Sequence, residues 1–161
     1  MKNVFVPFMN PEAYGRSTLE NCSFIASSEN PNPLMHGRGF VSRLSGSTSE
    51  AISMWIDMFA GRDIFTMKNG RLCLRFDPIL PGWFFDENGE ASFMFLSKCK
   101  VVYHNSLHLS TFGENRAVVQ NIIVNGNKDW NITGNEITGD TAKAVRNGEI
   151  KNLDIFLGGT F

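Results

Sequence analysis

All six prolines of this 161-residue chain lie within its first 81 residues, and this asymmetry constrains the fold more than any other feature. Proline has no backbone N–H and fixes φ, so it interrupts helices and the inner strands of sheets. The first 81 residues are therefore broken into short pieces, whereas the rest can form continuous strands. The prolines are Pro7, Pro11, Pro31, Pro33, Pro78 and Pro81. We predict two regions of different construction, with a boundary near the middle of the chain.

The second region reads as a series of short strands. Turn dipeptides such as Asn69-Gly70 and Asn88-Gly89 separate segments in which apolar residues alternate with others, which is the period of a half-buried strand. Strands are predicted over 72–76, 82–86, 91–96, 98–104, 117–124 and 151–157. A short helix is predicted over 140–146, with Asp140 as its cap and Gly148 just past its end. Several short strands with turn signals favour a sandwich.

The first region reads as loop, with a short helix at the capping box Ser17-Thr18-Leu19-Glu20, up to a longer helix near its end. Ser47-Thr48-Ser49-Glu50 is a second capping box. Ile52, Trp55, Ile56 and Phe59 follow it at i, i+3, i+4 and i+7, the spacing of an amphipathic helix. We predict this helix over 49–60. The fold class that follows is α+β, mainly β, with an antiparallel β-sandwich over 67–161 and a separate domain over 1–66.

Composition excludes several classes of function. Hydrophobic residues make up 42% and charged residues 19%, and no apolar run is long enough to span a bilayer. Fifteen Lys and Arg against sixteen Asp and Glu give a charge of −1, which favours a neutral polar partner over nucleic acid or an anionic membrane. Cys22, Cys73 and Cys99 are odd in number and widely spaced, so we expect free thiols and a cytoplasmic protein without a signal peptide.

Few residues form a recognisable catalytic set. His104 and His108 have the spacing of a metal pair on a helix, but strand and loop signals around them favour a solvated or packed role. Asp86 with Glu87, and Glu50 with Asp57, are carboxylate pairs of the kind that glycosidases use; their predicted positions in an exposed turn or on a helix face favour solvation. Neither a phosphate-binding P-loop nor a nucleophile elbow is present.

The stretch from Arg43 to Glu50 suits an oxyanion better. Ser45, Gly46 and further hydroxyls come directly before a predicted helix, whose first N–H groups and positive dipole end favour phosphate. His36 and Arg43, together with Arg38, could add charged donors. The alternative is that these hydroxyls only cap the helix.

These segments also resemble a known family. The resemblance rests on Leu44-Ser45-Gly46-Ser47-Thr48-Ser49, Met54-Trp55, Ala60-Gly61, Asn69-Gly70-Arg71-Leu72, the run 76–81, and, for the large members that act on 1,2-β-glucans, on 10–21, 36–40 and 142–157. The chain thus resembles the C-terminal part of the inverting phosphorylases of glycoside hydrolase family 94, the cellobiose phosphorylase-like enzymes. In that family a Thr-Gly pair opens the last helix of an (α/α)6 barrel and binds phosphate, and a small β-sandwich follows. Ser45 stands at the position of the threonine, and residues 1–66 would be the end of the helical-barrel catalytic domain.

The resemblance implies a function and a set of residues. The chain would be the C-terminal portion of an enzyme that phosphorolyses β-linked gluco-oligosaccharides to sugar 1-phosphate, with phosphate as co-substrate and no cofactor or metal. Ser45 and Gly46, with His36 and Arg43, would bind phosphate. Trp83 and Trp130 are candidates for sugar contact, although either also suits packing. No position matches the family's general acid, so we expect this chain alone to be inactive and to self-associate or to associate with a barrel domain. The alternative is a non-catalytic carbohydrate-binding or structural β-sandwich.

Overall fold

The structure is a computed structural model that describes residues 24–40, 45–125 and 130–159. It divides the chain into two compact units, residues 1–55 and 56–161. The described residues are mainly β with two α-helices, as the α+β class requires. The predicted helix at 17–20, the side chain of Cys22 and the residue Arg43 lie outside the described residues.

The first unit holds a small hairpin. Strand β1 (Phe24–Ile25) pairs antiparallel with β2 (Gly39–Phe40), and a 3-10 helix (Pro33–Met35) lies in the loop between them. Asn32 caps that helix, because its side-chain oxygen accepts the N–H of Leu34 at 3.1 Å. Within residues 24–40, loop is thus the main content, as the prolines and glycines there predict.

Helix α1 (Ser45–Phe59) is longer at its start than the predicted helix over 49–60. The predicted capping box, Ser47–Glu50, therefore begins within its first turn instead of preceding the helix. Hydroxyl residues are tolerated there, since the first N–H groups of a helix have no acceptor within it.

Just past the end of helix α1, Gly61 has a positive φ of 94°, and its N–H donates to the carbonyl of Asp57 at 3.0 Å. A Cβ at Gly61 would lie 2.8 Å from the carbonyl oxygen of Asp77, so only glycine fits.

The described residues of the second unit form two sheets. Their strands are β3 (Phe65–Lys68), β4 (Arg71–Arg75), β5 (Glu90–Phe95), β6 (Cys99–His104), β7 (Ala117–Asn125), β8 (Trp130–Thr133), β9 (Glu136–Thr138) and β10 (Asn152–Gly159). One is three-stranded, in the order β3-β4-β9, and all its pairs are antiparallel. The other is five-stranded, in the order β5-β6-β10-β7-β8. Helix α2 (Gly139–Asn147) packs against β4 and β9.

The five-stranded sheet is mixed, whereas the sequence predicted an antiparallel one. Strand β10 lies between β6 and β7, parallel to β6 and antiparallel to β7. A parallel pair needs a long crossover, and here the chain between β6 and β10 includes three strands and helix α2. Such a pairing depends on contacts distant in sequence, so the alternation of apolar residues could not reveal it.

One apolar core joins the two sheets. Alternate residues of β6, β7 and β10 point into it, among them Val101, Ile122 and Ile155, each with no exposed surface. Leu74 and Phe76 contribute from the three-stranded sheet and the segment after it. The edge of the Phe76 ring contacts Phe95 with centroids 5.4 Å apart.

The segment 82–86 does not form the predicted strand; Gly82–Phe84 is a 3-10 helix. The N–H of Phe84 donates to the carbonyl of Pro81, which closes a tight turn instead of extending the chain. Gly82 is required here, because a Cβ would meet the carbonyl oxygen of His108 at 2.0 Å. Three short strands, β3, β8 and β9, were not predicted, because few of their residues are buried and their apolar alternation is weak.

Helix α2 is confirmed, with one correction at its start. Thr138 occupies the N-cap position, and Asp140 lies within the first turn, where Lys143 donates to it at 2.9 Å. That hydrogen bond, with the charge of Lys143, lowers the pKa of the Asp140 carboxyl. Gly148 ends the helix in the left-handed conformation, with φ at 77°, as predicted.

Candidate functional site

The predicted phosphate residues are only partly within the described structure. Ser45 and Gly46 lie in the first turn of helix α1, which carries no acidic residue in that turn. Its N–H groups are the kind that bind oxyanions. His36 lies in the first unit's loop, where its Nε2 is 2.8 Å from the carbonyl oxygen of Asn30.

The two tryptophans predicted to contact sugar lie in different settings. Trp83 is half-buried in the 3-10 helix, and its ring centroid is 6.2 Å from that of Phe84 in a tilted arrangement. Trp130 lies on the edge strand β8 with 45% of its surface exposed. Trp130 therefore has the exposed ring that sugar stacking requires, whereas Trp83 has a packing contact.

The two histidines do not form a metal pair. His104 lies at the end of β6, and His108 lies beyond it in a loop with φ at 49°. Within residues 24–40, 45–125 and 130–159, no group of three metal-binding side chains is found. The carboxylate of Asp86 accepts the N–H groups of Asn88 and Glu90, so it closes the turn before β5.

His104 belongs instead to a polar network on the side of the five-stranded sheet opposite the core, which we term the outer face. Its Nε2 lies 2.8 Å from Oδ1 of Asp154, and its Nδ1 lies 3.2 Å from Oε1 of Glu90. Asn125 donates to the other oxygen of Asp154 at 2.5 Å. The His104 ring stacks on Phe156 with centroids 4.5 Å apart. The network thus crosses four strands and presents both donors and acceptors.

Further along the outer face, two amides meet. Asn121 donates to Oδ1 of Asn131 at 3.3 Å across β7 and β8. Both residues lie on the polar side, because Ile122 and Ile132 between them face the other way in the paired register. Amide, imidazole and carboxylate groups of this kind can hydrogen bond to sugar hydroxyls.

A cleft in the second unit brings together several charged side chains. It has a volume of about 380 Å³ and is lined by Arg62, Arg75 and Arg116, with Asp63 and Asp77 beside them. We term it the arginine cleft. Arg62 and Asp63 follow helix α1, Arg75 ends β4, and Arg116 immediately precedes β7. Pro78, Ile79 and Phe112 add apolar surface to its lining.

Each arginine of the cleft has a different set of partners. Arg75 donates through Nη2 to Oδ2 of Asp77 at 3.0 Å, while its Nε is buried and has no acceptor. Arg62 makes an ion pair with Asp57 at 3.5 Å and is largely exposed. Arg116 has no ion pair with any described residue. Sequence reasoning missed this cleft, because its arginines lie far apart along the chain in no motif.

Two further ionisable groups, Cys99 and Tyr103, are packed in the apolar core. Burial raises the pKa of the Cys99 thiol to about 11, against a smaller opposing effect from Lys151. Burial likewise raises the pKa of Tyr103, and the hydroxyl of Tyr103 donates to the carbonyl of Phe59 at the end of helix α1. Cys73 and Cys99 are both free thiols. The thiolate form of Cys99 is therefore suppressed, which makes this thiol unreactive.

Comparison with family models, with curated proteins and with solved structures gives no significant match to this chain. Among the described residues, no helix has the length and apolar character needed to cross a bilayer.

Proposed function

We propose that this chain is the C-terminal portion of a phosphorylase-type carbohydrate-active enzyme, with a small β-sandwich that follows the last helix of an (α/α)6 barrel. The proposal is carried by the exposed apolar stripe of helix α1, formed by Ile52, Trp55 and Ile56. Their exposed fractions are 55%, 36% and 47%. Fully burying such a side chain contributes about 1.5–3 kcal/mol. Adjacent barrel helices would cover this stripe.

The order of elements supports the same proposal. Helix α1 is followed by β structure, which is the order that the family resemblance implies. Phe59 continues the spacing of the stripe, but its ring contacts Phe84 and Phe93 in the second unit. The last turn of the helix is thus held by the β structure.

The first turn of helix α1 would supply phosphate contacts in the assembled enzyme. Backbone N–H groups near Ser45 and Gly46 would stabilise the anion, and no acidic side chain in that turn opposes it. Phosphate would attack the anomeric carbon, while an acid from the barrel protonates the leaving glycosidic oxygen. The configuration inverts because attack and departure take place on opposite faces of the sugar.

The decisive experiment is fragment complementation. The 161-residue chain is mixed with the barrel portion of a 1,2-β-oligoglucan phosphorylase that lacks its own last helix and β domain, and sugar 1-phosphate is measured with 1,2-β-glucan and phosphate. We expect no release from the chain alone and release from the mixture. Ile52→Asp in the stripe should abolish it, and Ser106→Ala, in an exposed turn, should not. Release by the isolated chain, or no release by the mixture, would contradict the proposal.

Phosphate binding is tested separately by calorimetric titration of inorganic phosphate into the chain. Ser45→Ala should weaken binding because it removes a hydroxyl donor beside the helix start, while Ser106→Ala serves as the matched control. Equal affinity in the two variants would contradict the role of Ser45.

A second function, non-catalytic carbohydrate binding, is favoured by the outer face. Its network of His104, Asp154 and Asn125, with the Asn121–Asn131 pair, offers hydrogen bonds to a neutral sugar chain. Trp130 pairs with the buried Val124 and therefore faces the other side of the sheet. Gluco-oligosaccharide binding on this face would be independent of phosphate. It should be weakened by Asn131→Ala and unaffected by Ser45→Ala. The reverse pattern would favour the phosphorylase proposal.

A further inference from the structure

The arginine cleft has an excess of positive charge in a chain that is slightly acidic overall. Three arginines and two aspartates line it, which leaves a net charge of +1, whereas the whole chain carries −1. Clefts with low-dielectric walls concentrate the field of the charges that line them. Such a site attracts anions even though the protein as a whole does not.

The donors of the cleft are only partly used. Asp77 occupies Nη2 of Arg75, but the Nε–H of Arg75 has neither a protein acceptor nor contact with solvent. A buried donor without a partner costs free energy, and such groups are rare in folded proteins. The Arg75 side chain is 41% exposed, so a small turn of its guanidinium toward a bound oxygen would relieve that cost.

The other two arginines leave further donors available. The contact of Arg62 with Asp57 is 3.5 Å long and solvent-exposed, so it contributes little and holds few of the five guanidinium N–H groups. Arg116 makes no ion pair with a described residue. A carboxylate has two oxygens and is saturated by one or two arginines, whereas a phosphate monoester presents three terminal oxygens and nearly two charges. Three arginines therefore match a phosphate better.

The size and walls of the cleft indicate more than an inorganic ion. Its volume of about 380 Å³ lies within the range of small-molecule sites, which starts near 300 Å³. Phe112, Pro78 and Ile79 give it apolar surface against which the body of a ligand can pack. We infer that the arginine cleft binds a small organic phosphate, one phosphate monoester on a body of about monosaccharide size. Neither helix α1's first turn nor any barrel is involved, so this site is independent of the proposed function.

The test is titration of glucose 6-phosphate into the full chain, followed by NMR of the backbone amides and by calorimetry. We expect a Kd below about 1 mM that rises with salt, with shifted amides at residues 60–63, 75–79 and 111–116. Glucose alone should not bind, and inorganic phosphate should bind more weakly than glucose 6-phosphate.

Variants assign the binding to the cleft. Arg116→Gln alters an exposed side chain and should weaken glucose 6-phosphate binding about tenfold. Arg75→Lys keeps the charge but removes the Nε–H, and should weaken it at least as much. Arg146→Gln, at the end of helix α2, removes the same charge outside the cleft and should leave the affinity unchanged, as should Ser45→Ala.

Several results would overturn the inference. These are no binding of glucose 6-phosphate, equal weakening by Arg116→Gln and Arg146→Gln, or inorganic phosphate binding as tightly as glucose 6-phosphate. Glucuronate, which carries a carboxylate on a similar body, provides the last arm. If it binds as tightly as glucose 6-phosphate, the site is not selective for phosphate and the inference is wrong.

Discussion

The five-stranded sheet has two different faces: the inner face is apolar and buried, and the outer face is polar and partly exposed. On the inner face, Ile155 and Tyr103 have no exposed surface and pack with the three-stranded sheet. On the outer face, the neighbours Asp154 and His104 are partly exposed and joined by a hydrogen bond. Because successive residues of a strand point to opposite sides, each face can change without the other. The stability of the second unit should therefore depend on the inner face, and polar ligand contacts on the outer one.

The largest difference is expected for two isoleucines on adjacent strands. Ile155→Ala should lower the free energy of unfolding by about 3 kcal/mol, because it leaves a cavity in a fully buried site. Ile123→Ala makes the same change on the outer face, next to Asp154 in the paired register, and should cost less than half as much. Urea denaturation measures both. Equal losses would show that the two faces are equally buried.

Tyr103 tests a polar group that the inner face tolerates. Tyr103→Phe keeps the ring but removes the donor to the Phe59 carbonyl, and should lower the free energy of unfolding by about 1–2 kcal/mol. Amide exchange should accelerate most at the last turn of helix α1, which this bond fastens to the sheet. Unchanged exchange there would mean that the ring alone holds the helix end.

The buried thiol of Cys99, also on the inner face, should make the free energy of unfolding depend on pH in the alkaline range. Its folded pKa of about 11 exceeds its ordinary value of 9.0, so the unfolded chain loses the proton first as pH rises. Stability should be unaffected below pH 9 and should fall between pH 9 and 11, by about 1 kcal/mol near pH 10. Cys99→Ala should give a flatter profile of unfolding free energy against pH. The same slope in both proteins would assign it to another group, such as Tyr103.

The smallest effects are expected on the outer face. His104→Ala removes the link between Glu90 and Asp154 and should cost about 0.5–1 kcal/mol, because the network is partly solvated. Asn131→Ala, on the edge strand, should change stability by less than about 0.5 kcal/mol. Thermal denaturation compares the two. A loss for His104→Ala as large as that for Ile155→Ala would place the network among the main stabilising contacts.

Local sequence patterns predicted most of the strands in the second unit. The predicted strands over 98–104, 117–124 and 151–157 correspond to β6, β7 and β10, because alternation of apolar residues reflects burial on one face. The insertion of β10 between β6 and β7 could not be predicted, since pairing partners are chosen by contacts between distant segments. The turn at Gly82 was missed for a similar reason: the group that crowds it, the His108 carbonyl, belongs to another loop.

The candidate sites also show that local sequence patterns do not reveal contacts between distant segments. Ser45 and Gly46 could be predicted as an anion-binding site, because such a pattern can be local, at the start of one helix. The arginine cleft has no such pattern: Arg62, Arg75 and Arg116 reach it from three separate segments. Arg75 next to Asp77 reads in sequence as an ordinary surface ion pair, and only the folded chain shows its buried Nε.

The central place of β10 has a consequence for the order in which the second unit can form. Strands β6 and β7 are made first but do not pair with each other, since β10 separates them in the finished sheet. One edge of each must therefore wait for a segment that leaves the ribosome some thirty to fifty residues later, although the other edge pairs with β5 or β8, which are close in sequence. Pairings between such distant segments slow folding and keep strand edges open in the meantime. Residues 99–125 should accordingly depend on chaperones during synthesis until β10 emerges.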